Sequence, residues 1–340
     1  MPIVVEEAHY VWTRRLACAS ALFAALSTLV SAHAHAQPAS RVITIVVPYA
    51  AGGGTDAVAR LVGEKMSSAL GRPVIVENVV GAGGTIANDR VARSTPDGST
   101  MLINHTALLS APSLFSNLRY DTRTAFEPIG LVNIAPLLLV GRKSIPGSSP
   151  KDFVAWIKEQ GAKTTFAHGG VGTNTQLCAV LIGNVLGFKP VFTAYRGSGP
   201  ALTDLVAGQI DLLCDQATSA LPQVQAGLLH GIAVTSTTRL EQAPDIPTTA
   251  EVGLSDLVYT FWHGLYVPKG TPKETVAALN AALRTAVSDS GVREKLKAIG
   301  TEPFPAERMS PEAHAALFAE DLDRITKLVE SSGLKPSEAK

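Results

Sequence analysis

An excess of charge of either sign is missing from this sequence. Its 340 residues hold 29 Lys+Arg against 29 Asp+Glu, and charged residues make up only 17%. That balance excludes the basic face that nucleic acid selects and the acidic tail of many interaction proteins. Aromatics are scarce at 6%, and cysteine is limited to three residues. No CxxC, HxxH or HExxH spacing occurs, which removes the usual protein-built zinc sites, and no cofactor motif replaces them. No stretch reaches 18 apolar residues, so the sequence predicts no membrane-spanning helix. Disorder is excluded too, because 46% of residues are hydrophobic.

What is present begins with a leader. Arg14-Arg15 close a basic segment, residues 16–30 carry no charge, and Ala-x-Ala follows twice, ending at Ala34 or Ala36. Basic, apolar and small-residue regions in that order predict a secretory signal peptide over 1–36, too short in its apolar part to span a bilayer. Its removal takes two acids and two bases, leaving 27 of each sign. The exported chain keeps Cys178 and Cys214, both in apolar runs. An oxidising compartment permits one disulfide between them, and two buried thiols fit equally well.

Strand and helix patterns then alternate. The β-branched run 41–47 reads as a buried strand, and 55–70 as a helix with apolar Val58, Leu61, Val62, Met66 and Leu70, closed by Gly71. Strands are predicted at 73–77 and 99–104 with a helix over 85–93 between them, which implies a parallel sheet. The middle of the chain continues the alternation, with strands at 137–141, 164–167, 190–194, 210–214 and 231–235 and helices at 150–160, 175–186 and 201–207. Helices over 272–288 and 311–332 complete the chain.

Four strand ends open into Gly-rich or hydroxyl-bearing turns: 48–56, 80–85, 168–175 and 195–201. In a parallel sheet such turns gather at the carboxyl edge, where ligands bind. Helix N-termini there offer unpaired N–H groups and about half a positive charge each, so an anion is held without Lys or Arg. Enzyme motifs fail on the same turns. Gly52-Gly53-Gly54-Thr55 lacks the Lys of a phosphate loop, and Gly81-Ala82-Gly83-Gly84-Thr85-Ile86 has Ile at the third dinucleotide Gly. Arg196-Gly197-Ser198-Gly199 is no nucleophile elbow. No catalytic constellation emerges; an exported hydrolase or isomerase acting on a carboxylated substrate is the alternative that these residues leave.

Those turns also carry a resemblance. Pro48-Tyr49-Ala50-Ala51-Gly52-Gly53-Gly54-Thr55-Asp56 resembles the first ligand loop of the substrate-binding proteins of tripartite tricarboxylate transporters, the TctC or Bug family. The likeness continues, in order, through Glu77-Asn78, Pro96-Asp97-Gly98, Tyr195-Arg196-Gly197-Ser198-Gly199-Pro200-Ala201, Trp262-His263-Gly264-Leu265 and Gly270-Thr271-Pro272, over essentially all of 41–330. It implies an α/β, two-lobe periplasmic-binding-protein architecture of type II kind. Lobe 1 is expected over 41–142 plus 262–340 and lobe 2 over 143–261, with the ligand cleft between them. It implies a periplasmic, monomeric receptor, not an enzyme, that uses no cofactor and presents a small organic carboxylate to membrane permease subunits.

By the same resemblance one wall holds Ala51, Gly52, Gly53 and Asp56 with Gly83 and Gly84. The other holds Gly172, Thr173 and the stretch Tyr195, Arg196, Gly197, Gly199, Pro200 and Ala201. Tyr49, His105, Thr106 and Asp215 are further candidates for contact with the ligand. The chain departs from the family pattern at Gln176, where His is common, at Val180, where Glu is common, at Ser99, and at His105-Thr106. These departures leave the identity of the acid open.

Overall fold

The computed structural model describes residues 42–255 and 257–336; the expected signal peptide lies outside them. The chain opens with β1 (Ile43–Val47), α1 (Gly54–Leu70), β2 (Val74–Asn78), α2 (Thr85–Ala92), β3 (Thr100–Asn104) and α3 (Ala107–Leu114). β1 pairs in parallel with β2 and β3, with Ile45 opposite both Val76 and Met101. In α1, Val58, Val62 and Met66 recur at four-residue spacing and are buried. Gly71 ends this helix in the left-handed conformation, φ 60°, that a side chain disfavours.

β4 (Phe126–Arg142) is a 17-residue strand that serves two sheets. Its first part, 126–136, pairs antiparallel with β9 (Thr260–Pro268), which in turn pairs antiparallel with β3. From Leu137 on, β4 pairs instead with β7 (Leu212–Gln216) and β8 (Leu229–Val234). β7 continues in parallel to β5 (Thr165–His168), and β5 to β6 (Val191–Ala194). A short β10 (Glu302–Pro303) pairs with β4 at Asn133 and Ile134. Both parts of the sheet are thus mixed, not simply parallel: β9 runs against β3 and β4, and β4 runs against β7 and β8.

α4 (Pro150–Gln160), α5 (Asn174–Leu186), α6 (Ser198–Val206) and α7 (Ala217–Gln225) cover the second group of strands. α8 (Lys273–Ser288), α9 (Ser290–Ala298) and α10 (Pro311–Ser332) follow β9. Two apolar cores result. The larger gathers Ile45, Leu102, Leu131 and Phe261 together with Phe166; the smaller holds Leu138, Leu205, Leu213 and Val234. Cys178 of α5 and Cys214 of β7 form a disulfide. Of the two states open to these cysteines, the bridged one is found. No helix among the described residues is long and apolar enough to cross a membrane.

Candidate functional site

The β1–α1 loop and the start of α6 meet face to face. The Ala50 N–H donates to the Arg196 carbonyl at 2.8 Å. A Cβ on Gly199 would lie 2.3 Å from the Ala51 carbonyl oxygen, and one on Gly83 would lie 2.1 Å from that of Val171. Glycine is what lets the two walls touch at these points. The cavity between them measures about 10 Å³, room for about one water. A larger ligand therefore enters only when the walls part.

Helix ends surround that cavity. Gly53, Gly54, Thr55 and Asp56 at the start of α1 line one side; Thr173, Asn174 and Thr175 at the start of α5 line another. Gly197 and Ser198 open α6, and Gln216 caps α7. The leading N–H groups of a helix have no partner within it, and each helix end carries about half a positive charge. The lining contains neither Lys nor Arg.

The floor is aromatic. Tyr49 stacks on His105, ring centroids 4.9 Å apart, and Tyr49 donates its hydroxyl proton to Asn104 Oδ1 at 3.1 Å. His105 Nδ1 accepts from the Ala107 N–H at 3.0 Å, so the neutral ring carries its proton on Nε2. Burial, helped by nearby His263, pushes His105 well below its usual pKa and keeps it neutral.

Asp56 lines the cleft, yet its carboxylate serves the loop. It accepts from the Gly52 N–H, from Arg60 and from Asn78 at 2.9–3.1 Å. Burial pushes its pKa upward, and the Arg60, Asn78 and Gly52 hydrogen bonds more than offset this, holding it below the usual range.

Asp215 is fully buried behind the lining and accepts from Ser198 Oγ and from Ser219 Oγ. Burial raises its pKa to about 6, against the pull of the two serines and the Gln216 N–H. The folded chain therefore holds a proton there that the unfolded chain, at the ordinary 3.8, has lost. Stability from this group is complete below about pH 4 and declines as pH rises through 6. Replacing it by the isosteric, uncharged Asp215→Asn is expected to flatten that slope by about 2–3 kcal/mol. Urea unfolding of both proteins at pH 4, 5, 6 and 7 measures the difference, and parallel curves count against the assignment.

Of the residues singled out in the sequence, Tyr49, Gly53, Asp56, His105, Thr173 and Gly197 share the cavity. Ala51, Gly52, Gly199 and Pro200 sit just outside, on a groove across the mouth. Gly84 backs Pro48 and Tyr49, while Gly83 faces the 170–172 turn. Gly172 is occupied by Gln176 and Ser110. Thr106 faces the Tyr259 hydroxyl, and Tyr195 donates to Asp204. The Arg196 side chain is exposed and Ala201 is packed in the smaller core. Gly54, Thr55, Gly169, Asn174, Thr175, Ser198 and Gln216 also line the cavity, and the sequence did not single them out as site residues. All but Gln216 lie inside the turns it singled out; Gln216 ends β7, two residues beyond the strand predicted there.

Comparison with known proteins bears on this geometry. The sequence model of the tripartite tricarboxylate transporter family receptor matches residues 58–334. The UPF0065 protein of the TAR-I ttuE-ttuC' intergenic region of Agrobacterium vitis is 39% identical over 291 residues, 86% of this chain and 84% of that protein. Among solved structures, the periplasmic binding protein BugD superposes with a TM-score of 0.84 at 37% identity, covering 87% of this chain and 99% of its own. MatC from Rhodopseudomonas palustris with bound malate gives 0.81 at 36% identity, with 85% and 99% covered.

Proposed function

Because the chain belongs to the tripartite tricarboxylate transporter receptor family, a family of solute receptors and not of enzymes, we propose that it is periplasmic and monomeric. In this reading it closes on one small organic carboxylate and hands it to membrane permease subunits. The observation that carries the ligand class is the convergence of the α1, α5 and α6 N-termini on a cavity without Lys or Arg. Such ends stabilise a carboxylate by dipole and N–H together. His105 Nε2–H adds a neutral donor for a remaining oxygen; the hydroxyl protons of Thr173 and Ser198 are already given to the Gly170 carbonyl and to Asp215. The malate in MatC fits the same chemistry.

The expected division into 41–142 plus 262–340 and 143–261 belongs to this reading. What supports it is the exchange of β4 partners between Pro136 and Leu137, which puts the crossing a few residues before 142. The four loop groups then lie on opposing bodies, with closure moving one against the other.

A thermal-shift screen of the exported chain against mono-, di- and tricarboxylates tests the proposal. A ligand present at 100 times its dissociation constant is expected to add about 2.7 kcal/mol. Lack of any stabilising acid sinks the carboxylate reading, and turnover of a hit, followed by NMR, sinks the receptor reading.

A further inference from the structure

A chain of six buried polar groups runs from the backbone of β4 to the far wall of the cleft, and its polarity can be deduced. It starts at the Ile134 carbonyl, which can only accept. Thr301 Oγ1 donates to it at 2.8 Å. The Thr301 oxygen is then left to accept, from Asn133 Nδ2 at 2.6 Å. That fixes the amide, so Asn133 Oδ1 faces His263 Nδ1 at 3.0 Å, and His263 must carry its proton there. Burial drives the His263 pKa down to about 3, so the ring is neutral and its Nε2 can only accept. Its partner at 3.0 Å is Thr55 Oγ1, which therefore donates. With its proton committed, the Thr55 oxygen offers lone pairs alone, and Gln216 Nε2 donates to it at 3.2 Å. Thr218 Oγ1 in turn faces Gln216 Oε1 at 3.4 Å.

Thr55 lies in the first turn of α1 and Gln216 ends β7, so their bond joins the two walls. We propose that His263 is a positioning residue for cleft closure: it holds the Thr55 hydroxyl with its lone pairs toward Gln216 and so sets the polarity of a clasp between the walls. His263 is not itself among the residues that line the cavity; it lies behind Thr55 and edge-on to His105, which do, and it acts through Thr55. Its own orientation comes from Asn133, next to the stretch where β4 passes from one sheet to the other. All of Asn133, His263, Thr55, Gln216 and Thr301 are at most 3% exposed. Water is therefore no substitute for a missing partner, and a reversed hydroxyl would set donor against donor.

The inference rests on the cleft described above, but its test needs no ligand, so the two can fail separately. The Ala50 amide bonds across the walls to the Arg196 carbonyl, and its hydrogen exchange in the free chain reads closure. The Ile45 amide in the core of β1 reads global opening. Loss of one buried hydrogen bond is expected to speed Ala50 exchange about fivefold in His263→Phe, in Thr55→Val and in Gln216→Leu. Thr55→Ser, which keeps the hydroxyl, is expected to match the native chain. In the Gln216→Leu background, His263→Phe should add nothing at Ala50, a coupling that a merely structural role does not produce.

Three results overturn the proposal. One is unchanged Ala50 exchange in His263→Phe. Another is acceleration that is equal with and without Gln216, or that only follows Ile45. The third is an Ala50 amide that is unprotected in the native chain.

Discussion

Gly199→Val is expected to abolish ligand binding while leaving the fold intact. Gly199 is the second residue of α6, and a Cβ there would come within 2.3 Å of the Ala51 backbone oxygen across the cleft. Real Cβ atoms essentially never come within 3.0 Å of such an atom, so the walls must shift apart. That separation breaks the Ala50–Arg196 hydrogen bond at 2.8 Å and withdraws the α6 end from any anion held by α1. Losing one wall of donors should weaken affinity on the order of 10³-fold, about 4 kcal/mol. The three nearest contacts of the new Cβ all belong to Ala51 and Gly52 of the opposite wall. Gly83 approaches Val171 still more closely, but its φ of +61° adds backbone strain to any substitution, which makes Gly199 the cleaner probe. Calorimetric titration with the acid found by screening measures the loss, and thermal unfolding of the free chain checks the fold. Unaltered affinity in Gly199→Val means that ligand binding does not require the walls to touch.

The second large effect belongs to the disulfide. Cys178 and Cys214 are 36 residues apart, and closing a loop of that length restricts the unfolded chain by about 4 kcal/mol. Cys178→Ala together with Cys214→Ala should lower unfolding stability by about that amount. A reducing agent should do the same to the native chain and nothing further to the variant. Urea unfolding with and without reductant decides it; a native chain indifferent to reductant means the bridge is absent in solution. The bond also has a place in the site. It ties α5, whose first turn lines the cleft, to β7, whose last residue Gln216 reaches across it.

Much of this arrangement is legible in the sequence, and the reasons for the gaps are physical. β1 and α1 are plain because one is a β-branched run ended by Pro48 and the other carries an apolar stripe closed by Gly71. β9 and the first half of β4 are hidden. Both are buried on nearly every residue, so no alternation marks them, and β4 is broken by Pro128, Gly130 and Pro136 with two register shifts. The start of α6 is predicted at Ala201, because Pro200 looks like a stop. It lies instead in the first turn, where a missing N–H costs nothing, and the helix begins at Ser198. That shift of three residues matters, since it brings the helix end to the cavity. Gln216 has no local signal at all: its partner Thr55 lies 161 residues away in sequence. His105 shows the opposite case, a residue visible in the sequence whose tautomer only the Ala107 N–H could reveal.

The absence of Lys and Arg from the cavity, in a chain of balanced charge, also decides how the protein meets its ligand. A charged pocket is felt over roughly a Debye length, about 8 Å at physiological salt. The field of a helix end fades within its first turn. The cavity itself therefore adds no long-range pull on an acid, and capture there is set by collision and orientation. Discrimination among acids has to come after arrival, in which of them allow the walls to meet. Holding an anion by helix ends alone makes the contacts inside the closed cavity little affected by the salt around the protein.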